Sequence, residues 1–393
     1  MKIKNIYIGG WFQRTTLQLS EIYDFLRDGT SQLGLDEQKL GELRGNLRID
    51  TIEYGVANEE FVAFTTAEHT KVKLFEDGLT VVSSEQVSEP TLFADAERLR
   101  GYYEERLSPA LSYLFSTGAP VFKELKSVEG IYPYFIVCDN ASAENIADLL
   151  AKTERQKYFE FDGKNYNVLR GDKYYFINNK KATPENIERY VEEQIFAREF
   201  KGQLHRYLNL HRAIWGKIDA IKKQKYATED GILLATTKLD RYEKTALLIS
   251  GRLEQMSTYI DVRESGMKDD QELIEFLAIS GYRYTALLGT LNYMRSLWDT
   301  TRRYAESAQR LLMRANGERI IVTCRTMVLL VGLITMISAL GLLFNAGFNF
   351  SVDSLIYAAL LVIGGMVVTW VIKMHHSVKE YNVIADENQE EAA

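Results

Sequence analysis

Two uncharged apolar runs near the C-terminus constrain this chain more than any other feature. Residues 326–344 lie within the string RIIVTCRTMVLLVGLITMISALGLLFNAGFNF, which starts at Arg319, and contain no charge and no proline. Residues 355–372, LIYAALLVIGGMVVTWVI, are again uncharged. A helix needs about 20 consecutive apolar residues to cross a hydrocarbon core, so both runs are predicted to span a lipid bilayer. Arg314, Arg319 and Arg325 precede the first run; Lys373 and Lys379 follow the second, with His375 and His376 between them, and the connecting loop holds no Lys or Arg. That bias puts both termini in the cytoplasm and the loop outside. Ser351 or Asp353 can cap the second helix, Trp370 falls near the cytoplasmic interface, and Gly364-Gly365 permits close helix packing.

The first run also carries polar groups. Thr335, Ser338, Asn345 and Asn349 follow one another at spacings of three, seven and four, which sets them along one side of a helix. The two hydroxyls can be satisfied by their own helix backbone. Asn345 and Asn349 cannot be disposed of so easily, because an amide facing lipid is costly. A homo-oligomer with this helix around a central axis would remove the cost.

Upstream, residues 183–224, 230–264 and from Lys268 onward read as long helices. Thr183-Pro184-Glu185 gives a capping hydroxyl and a first-turn proline. From Lys268 no proline intervenes before the first apolar run. Leu273, Leu277, Ser280, Tyr284, Leu287, Leu291, Met294, Trp298, Thr301, Ala305, Ala308 and Leu312 alternate spacings of four and three. That heptad seam predicts side-by-side helix packing, either in an oligomeric stalk or in a hairpin within one chain. The stalk is the expected form, since the seam leads into a segment that needs partners.

Residues 1–182 read as mixed α/β. Ile6-Tyr7-Ile8 is a predicted strand and residues 17–26 an amphipathic helix. Strands follow over 47–80, with a tight turn at Asp77-Gly78. Residues 93–115 look helical with a break at Pro109, 134–137 are a strand, 142–152 a helix, and 158–177 a second hairpin region turning at Asp162-Gly163 and Gly171-Asp172. Nucleotide-triphosphate, zinc-protease, serine-hydrolase and dithiol motifs are all missing, so no enzyme is expected. His205 and His211 are six apart, on different helix faces. Gly9-Gly10-Trp11-Phe12-Gln13-Arg14 follows the first strand. Its glycines allow close backbone approach, Trp11 could stack a base and Arg14 could bind phosphate; the alternative is a turn with a buried tryptophan. The net charge of -7 excludes a nucleic-acid coat and no direct nucleic-acid binding is expected. Cys138 and Cys324 are too few and too far apart for a disulfide framework or a zinc site, and packing is the expected role of Cys324, at the edge of an apolar run. The N-terminus lacks the apolar stretch of a cleaved signal.

A large cytoplasmic α+β domain, a long helical stalk, two C-terminal membrane helices and Gly347-Phe348-Asn349 between them together resemble the CorA superfamily of divalent-cation channels, whose loop is usually Gly-Met-Asn. Phe350 follows the tripeptide, as phenylalanine often does in that family. The resemblance spans about residues 268–376. It implies a funnel-shaped homopentamer in a prokaryotic inner membrane, with a mixed α/β sensor domain at 1–182, a stalk at 183–318, a pore domain at 319–374 and a tail at 375–393. It further implies a pore mouth at Gly347 and Asn349 for hydrated Mg²⁺ or another divalent cation, with Phe348 in the same loop. Thr326, Leu329, Leu333 and Ile337 would form a hydrophobic constriction, with Thr335, Ser338 and Asn345 also on the pore helix. Three departures stand out: Asp353 is the one carboxylate after the motif, the first apolar run has no proline, and the tail is acidic, Asp386-Glu387-Asn388-Gln389-Glu390-Glu391. Residues 6–12 are similar to a divergent CorA-like branch that accompanies type III CRISPR systems, which implies a membrane effector of antiviral defence opened by a nucleotide messenger. The alternatives are a housekeeping Mg²⁺, Co²⁺ or Ni²⁺ transporter and a non-conducting, membrane-anchored sensor.

Overall fold

In a computed structural model the described residues are 2–11, 18–56, 60–85, 87–114, 133–139, 141–153, 159–224 and 229–344, with 364, 365 and 370. They divide into two compact units, Met1–Leu210 with Gly251–Arg295, and His211–Ser250 with Ser296–Ala393.

The first unit is built on a nine-stranded sheet in the order β2-β3-β4-β5-β1-β6-β9-β8-β7. The strands are β1 (Lys2–Trp11), β2 (Ile49–Val56), β3 (Glu60–Thr66), β4 (Thr70–Phe75), β5 (Leu79–Ser84), β6 (Tyr134–Asp139), β7 (Phe159–Asp162), β8 (Tyr166–Arg170) and β9 (Tyr174–Asn179). Every pairing is antiparallel except β6 with β9. The β4–β5, β7–β8 and β8–β9 turns fall where Gly, Asp and Asn predict them, whereas the β3–β4 turn runs through Ala67-Glu68-His69 with His69 at φ 57°. Gly78 takes φ 93° between β4 and β5, and Asp77 Oδ1 accepts the Leu79 N–H at 2.8 Å.

β1 is apolar on both faces and sits in the middle of the sheet, which is where such a strand must go. One face is covered by α1 (Leu19–Asp28), α2 (Glu37–Asn46), α3 (Leu92–Tyr102), α4 (Ser108–Leu114) and α5 (Ala143–Thr153). Ile6, Ile8, Phe64, Val82, Ile136 and Phe176 meet Phe25, Leu99 and Leu111 there. Pro109 does not break the helical stretch as expected. Instead Tyr103–Leu107 forms a π-helical turn, and Pro109 falls in the first turn of α4, where its missing N–H costs nothing.

The other face is covered by α6 (Pro184–Lys223), within its residues 184–210. A Cβ on Gly9 would lie 2.5 Å from the Thr80 carbonyl oxygen and 3.0 Å from Ile195 Cδ1, so only glycine lets β5 and α6 approach β1 this closely. The sheet unit therefore does not end near residue 182: the start of α6 and residues 251–295 belong to it.

Three more helices follow: α7 (Glu229–Gly266), α8 (Gln271–Ile279) and α9 (Tyr284–Phe344). The expected continuous helix from Lys268 is interrupted. Gly281 adopts φ 82°, its N–H donates to the Ala278 carbonyl at 3.2 Å, and the Tyr282 N–H donates to Leu277 at 2.8 Å. Those paired bonds across a left-handed glycine are a Schellman stop.

In the second unit, residues 211–223 of α6 meet residues 296 onward of α9. Trp215 stacks on Tyr304 at 4.3 Å, and His211 Nδ1 bonds Thr301 Oγ1 at 2.7 Å. Trp298, Thr301, Ala305, Ala308 and Leu312 are all buried within the single chain. In the first unit Leu287, Leu291 and Met294 are buried likewise. The heptad seam is thus filled by the chain's own helices, which corrects the expected intermolecular stalk: the hairpin-type reading is the one observed.

Candidate functional site

Charged residues are packed between the sheet and α6 in the first unit. The Arg263 side chain, from α7, is 3% exposed. Its Nε donates to Asp77 Oδ2 at 2.7 Å and its Nη1 to Glu193 Oε1 at 2.9 Å. The Tyr284 hydroxyl, from the first residue of α9, donates to Glu193 Oε2 at 2.8 Å. Burial, then the Glu193 charge, holds that phenol in its protonated, donating form. The guanidinium also lies 4.4 Å from the Phe196 ring centre. The β4–β5 turn and α6 thus meet the α7 cation directly, and α9 joins them through Glu193.

Beside it, Lys73 Nζ from β4 bonds Glu192 Oε1 at 2.8 Å and approaches Glu188 to 3.7 Å. Burial pushes the Glu192 carboxyl up to about 7, with the Lys73 charge pulling the other way. The folded carboxyl holds its proton more firmly than the unfolded one, so its contribution to stability is full below about pH 4.5 and is lost as pH rises to about 7. Accordingly, between those values the unfolding midpoint of the wild type should fall relative to that of Glu192→Gln. Parallel pH profiles of the two proteins would contradict this.

Gly9, Gly10 and Trp11 form the end of β1 rather than a loop. Trp11 is 4% exposed; its indole N–H donates to the Asp77 carbonyl at 2.7 Å, and Phe200 stacks on the ring at 5.6 Å. Phe196 and Tyr259 close its edges. The Gly9 carbonyl accepts from Arg198 Nη2 at 2.9 Å. The expected ligand segment is corrected here: the Trp11 face that would stack a base is occupied by protein, so the tryptophan is a core residue. Arg14 lies outside the described residues. Cys138 is buried, its thiol pushed up to about 12 by burial, whereas Cys324 is exposed in this chain, contrary to its expected packing role.

The expected pore residues fall on the C-terminal part of α9. Leu329 and Leu333 are exposed in the single chain, and Thr326 and Ile337 are half-buried. Thr326 Oγ1 donates to the Val322 carbonyl, Thr335 to Val331 and Ser338 to Ile334, so these hydroxyls are satisfied by their own helix. A Cβ on Gly365 would lie 3.4 Å from Ile334 Cδ1. Ser338, one turn beyond Ile334, shares its side of α9, whereas Thr326, Leu329, Leu333 and Ile337 make a separate stripe. Asn345, Gly347, Phe348 and Asn349 lie outside the described residues.

Among the described residues, no helix is long and apolar enough to cross a membrane, and no group of three His, Cys, Asp or Glu is placed to hold a metal ion. The span reading rests on the whole uncharged run at the end of α9 together with residues 355–372, which are almost all outside the description.

No protein-family model matches the chain, and no curated protein matches it. Among solved structures it is similar to the complete CorA magnesium transporter from Methanocaldococcus jannaschii, with 11% identity and a TM-score of 0.27 over 63% of this chain and 92% of that one. It is similar also to the soluble domain of CorA from the same organism, with 12% identity and a TM-score of 0.20 over 49% and 92%. At TM-scores this low, neither likeness decides fold or function.

Proposed function

We propose that this chain is a CorA-like membrane channel or transporter for a hydrated divalent cation, acting as a homo-oligomer with its sheet unit in the cytoplasm. The observation that carries the reading is the end of α9. It carries no charged side chain, its hydroxyls are bonded to its own backbone, and Val328, Leu329, Val331 and Leu333 stand exposed in the single chain. In the sequence this uncharged run leads directly to Gly347-Phe348-Asn349. An uncharged helix with its apolar residues exposed needs lipid or neighbouring copies to cover it. Mg²⁺ sheds its water reluctantly, so a ring of Asn349 amide oxygens and Gly347 carbonyls suits it as a hydrated ion. The pentamer belongs to the same proposal. So does gating by a nucleotide messenger in antiviral defence, for which the enclosed Trp11 offers no stacking face; the divalent-cation transporter is the better supported form.

The full chain, reconstituted in liposomes loaded with a Mg²⁺-sensitive dye, should admit Mg²⁺. Asn349→Ala should change that flux by about tenfold while leaving the oligomer mass alone. Unchanged flux in the variant, or a monomer or dimer by mass in lipid discs, would overturn the proposal.

A further inference from the structure

Among the described residues, a cavity of about 410 Å³ opens where the end of α7 meets α8 and the first turn of α9, within the size range of small-molecule sites. Its body is apolar, lined by Ile274, Leu277 and Tyr282. Its charged wall consists of Lys268 and Arg283 against the single carboxylate of Glu264. Lys268 and Arg283 are exposed, and among the described residues neither has an ion-pair partner. Two nearby acids are engaged elsewhere: Asp270 caps α8 at the Leu273 N–H, and Glu272 holds the β7–β8 loop through Asn165. Lys201 Nζ lies 5.6 Å from the Tyr282 ring centre and adds a further positive charge beside the cavity. An apolar floor under two unpaired cations selects an amphipathic anion.

We propose that this cavity binds a small organic anion whose apolar body rests on Leu277 and Tyr282 and whose carboxylate, sulfonate or phosphate groups meet Lys268 and Arg283. Its wall straddles the helix stop at Gly281, with Ile274 and Leu277 before it and Tyr282 and Arg283 after it. An occupant therefore ties α8 to the start of α9. The inference concerns the first unit alone and stands whether or not the chain conducts ions.

Naphthalene-1,5-disulfonate is a suitable probe, because its two charges keep it out of detergent micelles. Calorimetry on the full-length protein should show saturable binding. The double variant Lys268→Gln/Arg283→Gln, altered only at exposed side chains, should weaken it by about tenfold or more. Glu264→Gln should tighten binding by removing the one like charge, and Ala278→Trp should abolish it by filling the space. Bound probe should also slow amide hydrogen exchange over residues 279–284. The assignment fails if the wild type gives no saturable heat, as it would were a second copy seated there. It fails equally if the double variant binds like the wild type, or if Glu264→Gln weakens binding, which would mark the site as one for cations.

Discussion

Replacing Arg263 by alanine should destabilise the sheet unit by about 3–5 kcal/mol, the cost of breaking a buried ion pair by removing one partner. The reason is what stays behind. Asp77 and Glu193 would be two buried carboxylates with their shared counter-charge gone, and neither can reach water without opening the interface between the sheet and α6. Adding Asp77→Asn and Glu193→Gln to the alanine variant should recover part of the loss, because neutral amides are cheaper to bury than unpaired carboxylates. Hydrogen exchange resolved by segment is the measurement, since a chain of two units need not unfold in one step. Protection in β5 and in the first half of α6 should fall together. An alanine variant as protected as the wild type would contradict the expected cost of leaving Asp77 and Glu193 uncompensated.

The second large effect is expected at Trp11. Its alanine variant leaves a void framed by Phe196, Phe200 and Tyr259 and strips the Asp77 carbonyl of its donor. Trp→Ala in a packed core costs about 3–5 kcal/mol. The loss should appear as a lower unfolding midpoint in the absence of any added ligand. A Trp11→Ala protein with unchanged stability but a lost response to a soluble ligand would restore the segment as a binding site. Trp11→Phe keeps most of the volume and loses the N–H, so it should fall between the two.

Both residues show where the sequence is legible and where it is not. The strands, the Asp77-Gly78 turn and the Pro184 helix start carry local signals, since turn residues and periodicity act over a few positions. Asp77 reads locally as a turn residue, and nothing in its neighbours announces Arg263, 186 positions away. Trp11 next to two glycines looks like a ligand loop until β5 and α6 close over it. The heptad seam was legible as a seam, but spacing cannot say whose helix fills it. Ser280-Gly281 carries a local stop signal of its own, a glycine just past an apolar helix. The membrane runs, and Gly347 to Asn349 between them, are legible from sequence because lack of charge over about 20 residues is a local signal.

The distance between Asp77 and Arg263 also bears on how the protein is made. At a synthesis rate of about 5–20 residues per second, roughly 10 to 40 s separate the two residues at the ribosome. Through that interval β4 and β5 exist without the cation that neutralises their turn, and β1, translated first, waits for α6 to cover its second face. The unit becomes self-sufficient only once residues 251–295 have been made, shortly before the first apolar run leaves the ribosome. A fragment ending near residue 182 would carry the whole sheet and still lack what closes it, whereas one ending after Arg295 would carry every buried charge together with its partner.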